Sequence, residues 1–248
     1  MPNWVRNIVH IEGCEDDIAK ALELMRNRDS KNENKIDFNN IFPLPERLQI
    51  VSGGWDRYYI ALYLKSLSDS ERHAVENKLW NTPLGFYDNY YKKYRESFMM
   101  DIPEEQLTWM KGRFENDYSN IAPTSMEDVG KAYIDNILEY GHDTWYEWCI
   151  DKWGTKWNAC EPIIGDNYLE FDTAWSAPFP IIVELSRKFP ELTFCHEWAD
   201  EDLGRNCGRI DYRNGEIVAE EDFETNEEAY EFACMIHGYS PDDFEEEE

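Results

Sequence analysis

The chain has 248 residues, with 52 Asp and Glu against 24 Lys and Arg, for a formal net charge of −28. That length allows one large or two small domains, and an aromatic content of 15% excludes wholesale disorder. The charge argues against a nucleic-acid backbone or an anionic membrane surface as the ligand, because both attract Lys and Arg rather than carboxylates.

The opening residues, Met1-Pro2-Asn3-Trp4-Val5-Arg6, carry no apolar run of signal-peptide length. No stretch approaches the ~20 apolar residues that a membrane span needs. Six cysteines (Cys14, Cys149, Cys160, Cys195, Cys207 and Cys234) are widely scattered, so they are expected to be reduced thiols in a cytoplasmic protein.

In chain order, Trp4 to Glu12 alternates loosely and ends at Gly13, which predicts a strand. Glu15 to Met25 carries a helix-period apolar stripe behind an acidic first turn. The short segment 36–41, closed by Pro43 and Pro45, predicts a second strand. From Glu46 to Ile150 the texture is helical, with periodic segments near 58–67, 70–80, 104–114 and 126–140. Beyond 151 it turns β-rich: strands are expected at 157–161 and 168–175, with a turn between them at 163–167. A helix follows over 178–189, then a strand over 192–198. Asn214-Gly215 marks a hairpin between 209–212 and 216–219. Thr225-Asn226-Glu227-Glu228 caps a last helix ending at Gly238.

This order predicts an α+β protein: a ferredoxin-like antiparallel sheet with helices on one face, interrupted by a large helical insertion. The expected organisation is a discontinuous domain over residues 1–45 and 151–239, an insertion over 46–150, and an acidic tail over 240–248.

Four stretches carry a family resemblance: Met1-Pro2-Asn3-Trp4, Ile36 through Pro45, Trp153-Gly154-Thr155-Lys156-Trp157-Asn158-Ala159, and Phe171-Asp172-Thr173-Ala174-Trp175-Ser176-Ala177-Pro178. Together with Cys207-Gly208-Arg209 they resemble the YubB-like proteins, which are phage- and plasmid-borne and have a ferredoxin-like domain. The resemblance implies that fold and a mobile-element origin, and no activity. Within it, Trp4, Trp153, Gly154, Trp157, Asp172 and Trp175 are expected to be structural.

Chemical constellations are sparse. Cys195-His196, Cys207 and Cys234-x-x-His237 offer zinc-ligand types, but not the tight cysteine pairs of structural sites, so no metal is expected. Catalysis would need an activated nucleophile; Cys149, seven residues after His142, has the right partner type but sits among tryptophans that suggest packing. Glu170 and Asp172 share a strand face, and a solvated sheet face accounts for them. Trp153, Trp157 and Trp175 could stack bases, yet Lys152 and Lys156 are the only nearby cations. Neither cofactor nor catalytic residue is therefore expected.

Charge distribution is more informative. Residues 197–248 hold nineteen acidic and three basic residues, a balance of −16 in the last fifth of the chain. Glu220, Glu221, Asp222, Glu224, Glu227, Glu228 and Glu231 are expected at one strand-to-helix corner, facing a basic surface on a protein partner. That surface would be a nucleic-acid-binding one, with the carboxylates standing in for phosphates. Two alternatives are an enzyme with a cleft near His142, Cys149 and Trp153, and a structural or morphogenetic particle protein.

Overall fold

A computed structural model describes residues 2–27, 36–81, 96–97, 100–117, 123–221, 223 and 225–240, the side chains at 80, 81 and 117 excepted. The chain divides into two compact units, Met1–Pro43 with Cys149–Glu248, and Leu44–Trp148. No helix among the described residues is long and apolar enough to cross a membrane.

The first unit is built on β1 (Trp4–Glu12), β2 (Cys160–Ile164), β3 (Tyr168–Ala174), β4 (Thr193–Asp200), β5 (Gly208–Arg213) and β6 (Glu216–Glu221). They form one antiparallel sheet of order β2-β3-β1-β4-β5-β6. Helix α1 (Glu15–Met25) follows β1, and α7 (Phe179–Lys188) joins β3 to β4. The block β2-β3-β1-β4 is thus the ferredoxin-like arrangement, extended on one side by the β5–β6 hairpin. Asn214 and Gly215 turn that hairpin with φ of 52° and 78°, the pair of positive values that a two-residue turn of matching twist requires.

Alternation along β1 fixes which face is dry. Val5, Val9 and Ile11 are 0% exposed, and their neighbours in register, among them Thr173, Leu169, Phe194 and His196, are likewise buried. Helix α7 covers this face, with Phe179 edge-on to Trp198 at 4.8 Å and 5.7 Å from His196. Phe38, from the turn that packs beside α1, meets Phe171 at 5.7 Å. One helix departs from the expected one-sided cover: α8 (Asn226–His237), which follows the added hairpin, seats Ala233 and Ile236 on Ala199 and Ile8 of the opposite face.

The segment 36–41, expected as the second strand, is not one. Ile36 makes a single bridge to Arg26, and Phe38–Asn40 forms a 3-10 turn. The Asp37 carboxylate accepts the Asn39 backbone N–H at 3.0 Å, which closes the turn locally. The apolar–polar alternation there arises because Phe38 points into the core, fully buried. The second strand comes some 120 residues later as β2, starting three residues beyond the expected Trp157 and pairing with β3. It contains Pro162 and a bulge between Cys160 and Ile163, both tolerated because β2 is an edge strand.

In the second unit, α2 (Asp56–Ser66), α3 (Asp69–Asn81), α4 (Glu104–Asp117) and α5 (Met126–Tyr140) surround a core of Tyr59, Ile60, Leu64, Leu79, Met110 and Ile137. Helices α2 and α5 approach closely because Gly130 has no side chain: a Cβ there would stand 2.0 Å from the Tyr59 carbonyl oxygen. Buried Asn136 donates to the Arg47 and Asp143 carbonyls, and the Tyr133 hydroxyl donates to Val51 O at 2.6 Å. Helix α6 (Trp145–Trp153) runs across the boundary between the units in sequence.

Candidate functional site

All six residues of β6 are exposed, Glu220 and Glu221 among them. Thr225 starts α8 by accepting the Glu228 N–H on its Oγ1 at 3.2 Å, and carboxylates in this first turn also complement the helix dipole. Glu227, Glu228 and Glu231 are exposed on that helix. Asp222 and Glu224 lie outside the described residues. The structure therefore brings together Glu220 and Glu221 with the first turn of α8: they share a cleft of about 370 Å³ with Phe223, Thr225, Asn226 and Ala229. Among the described residues, none of Glu220, Glu221, Glu227 and Glu231 has a basic group at ion-pair distance.

Arg209 also lines this cleft, but its guanidinium is engaged. Nε faces Asp211 at 3.3 Å, Nη1 faces Glu197 at 3.7 Å, and Nη2 donates to Cys195 Sγ at 3.0 Å. The Cys195 thiol in turn donates to Asp211 Oδ1 at 2.7 Å. Burial, reinforced by that bond, pushes the thiol up to about 12, so it stays protonated.

A second concavity escaped sequence reasoning. Cys160, Asp172 and Arg6 stand in one cross-strand row over β2, β3 and β1, on the sheet face that α8 covers only in part. Trp4, Glu161, Glu201, His237 and Tyr239 wall this row into a groove of about 790 Å³. Arg6 Nη2 donates to Glu170 Oε1 at 2.5 Å. Burial raises the Asp172 carboxyl above the usual carboxylate range, although Arg6 opposes it. Cys160 is likewise raised, by burial and by Asp172 and Glu161. His237 donates through Nε2 to the Ala199 and Asp200 carbonyls, which ties the C-terminal end of α8 to β4. The groove is a polar recess without an activated nucleophile. Glu170 and Asp172 do share one face, as their spacing indicates, but Glu170 is bonded to Arg6.

The motif tryptophans have separate roles. Trp153 is 4% exposed, donates Nε1–H to Phe42 O at 2.9 Å and meets Phe38 edge-on. Gly154 has a φ of +80°, and a Cβ there would stand 2.6 Å from Pro180 Cδ. Trp4 and Trp157 lie 6.0 Å apart. Lys156 places its ammonium 4.3 Å from the Trp157 ring and 4.7 Å from the Trp175 ring, so the protein's own cation occupies the faces a base would stack on.

Cys149, the nucleophile candidate, is 1% exposed and pushed up to about 12 by burial alone, and His142 is 6% exposed. His196, adjacent to Cys195 but on the dry face, is fully buried, held by Asn7 Oδ1 at 3.0 Å from its Nε2, and depressed to about 3 by burial. Among the described residues no group of three or more His, Cys, Asp or Glu is placed to hold a metal ion.

Residues 152–242 match the model of a family described as a ferredoxin-like domain in Api92-like protein. That match supports the ferredoxin-like domain and names Api92-like rather than YubB-like proteins. A crystal structure of a protein api92 from Yersinia pseudotuberculosis is similar over 91% of this chain and 99% of that one, with 13% identity and a TM-score of 0.43. No curated protein matches the chain.

Proposed function

We propose that the protein is a non-catalytic acidic interaction protein of a mobile genetic element, which docks on the basic, nucleic-acid-binding surface of a host or defence protein. The observation that carries this proposal is that Glu220 and Glu221 of β6 and Glu227, Glu228 and Glu231 of α8 are all exposed, with Glu220 and Glu221 sharing a cleft with Asn226 and Ala229 of the first turn of α8. Carboxylates fixed on a strand and a helix turn present negative charge at defined spacings, as a phosphate backbone does, and steer a basic partner onto the surface. A catalytic role has less support, since the thiols of Cys149, Cys160 and Cys195 are all held in their protonated form.

The test begins with co-purification from cells carrying the parent element, followed by titration of the recovered partner. Binding should weaken at least tenfold between 50 and 200 mM salt, and again in the quadruple variant Glu220→Gln, Glu221→Gln, Glu227→Gln and Glu228→Gln. Nucleic acid should compete with the protein for that partner. Affinity that is indifferent to both salt and the quadruple variant refutes electrostatic mimicry.

A further inference from the structure

Resting on the proposal of a basic partner, we infer that β6 captures that partner by strand addition, with an extended Lys- or Arg-bearing segment pairing along its outer edge as a further strand of the sheet.

The two edges of the sheet are not alike. On β2, Pro162 lacks the N–H that an added strand would need, and a bulge bends the same stretch. On β6 there is no proline, and every residue from Glu216 to Glu221 is exposed. Its ladder with β5 has a shift at Asp211/Tyr212, but runs in regular register where Ala219, Glu220 and Glu221 oppose Asp211, Ile210 and Arg209. Ile217 and Val218, each 55% exposed, leave apolar surface at the edge that an incoming strand would cover.

Charge selects the occupant. Glu216, Glu220 and Glu221 decorate the edge, and the two arginines of β5 do not neutralise them. Arg209 is committed to Asp211, Glu197 and Cys195, while Arg213 faces Glu191 at 3.6 Å and the Pro190 carbonyl. A second copy of β6 laid antiparallel on the first would set Glu216 against Glu220 or Glu221, and like charges directly opposite are destabilising. Glu216 and Glu221, which share one face of the strand, favour Lys or Arg on that face of the incoming segment. Because Glu216 and Glu221 lie on one side with Ala219, and Ile217 on the other with Glu220, a segment alternating basic and apolar residues sets its cations against Glu216 and Glu221 and its apolar residues on the Ile217 side.

The experiment uses the full chain, isotopically labelled, and a capped Lys–Val alternating hexapeptide. Two versions of the peptide carry N-methyl groups on alternate residues, one for each register, which preserves charge but removes ladder N–H donors. Strand addition predicts exchange protection of β6 amides on binding. It also predicts a loss of tenfold or more for one N-methylated version, and a comparable loss for Glu216→Gln with Glu221→Gln. If both N-methylated peptides bind within twofold of the parent, strand addition is wrong while electrostatic docking stands. A Glu–Val peptide binding as well as Lys–Val overturns the charge selection. Protection of β6 by the protein alone at high concentration would assign the edge to a second copy. If the parent peptide and polylysine both fail to bind, strand addition and the basic-partner proposal fall together.

Discussion

Protonating His196 should unfold the sheet, and the size of the effect follows from where the ring sits. Its Nε2 donates to Asn7 Oδ1, Phe179 and Trp198 pack against it, and no water-facing side remains at 0% exposure. Burial depresses the ring to about 3, whereas the unfolded chain restores the ordinary value of 6.5. Above pH 6.5 both states are neutral and the full stability is present. Below it the unfolded imidazole binds a proton that the folded one does not, so stability falls with pH until about pH 3. At pH 4 the separation amounts to about 3 kcal/mol. Urea unfolding, read by hydrogen exchange of β1 and β4 peptides at pH 7 and pH 4, measures this loss. His196→Gln should lack that component, so the two pH profiles should differ by about 3 kcal/mol over this range. A direct readout needs no substitution: the His196 ring resonances should stay those of neutral imidazole at pH 4. Parallel pH profiles, or a ring titrating near 6.5, would refute the argument.

Three other outcomes are expected. Burial raises Asp172, so its ionised form opposes folding above the folded-state value and that cost vanishes in acid; Asp172→Asn should raise the urea midpoint at pH 7 and leave it unchanged at pH 3. A lower midpoint at pH 7 would mean that Arg6 dominates the site. Gly130→Ala drives a methyl group into the Tyr59 carbonyl and should destabilise the α2–α5 pair by about 3 kcal/mol or more, seen as faster exchange of both helices. Thr225→Ala removes the cap on Glu228 N–H and should cost about 1 kcal/mol, with the Glu228 amide losing protection first.

Local chemistry was enough to locate most elements. The Thr225 cap, the Asn214-Gly215 turn and the apolar stripe of α7 each act within a few residues, and each is where its sequence signal lies. The second strand was not legible because its evidence is non-local. Segment 36–41 alternates like a strand, but Asp37 closes a turn with its own neighbour, while the true β2 carries a proline that a sequence argument counts against a strand. The acidic corner was readable as a run of charge. The groove was not, because Arg6 and Asp172 are 166 residues apart and meet only through the β1–β3 register.

That register has a consequence for biosynthesis. β1 leaves the ribosome first, yet both of its neighbours, β3 and β4, are encoded after residue 167. At ~5–20 residues per second, the strand waits on the order of 10–40 s before β4 is available. Until β3 emerges, Val5, Val9 and Ile11, all fully buried in the finished sheet, have no partner strand, and until β4 emerges β1 has only one. The helices of residues 44–148 emerge in the same interval and share a core of their own, so they can pack before β3 exists. The nascent chain thus carries a folded helical unit tethered to an unpaired apolar strand. Truncations ending before residue 193 should bind chaperones and aggregate, and solubility should return only once β4 is included.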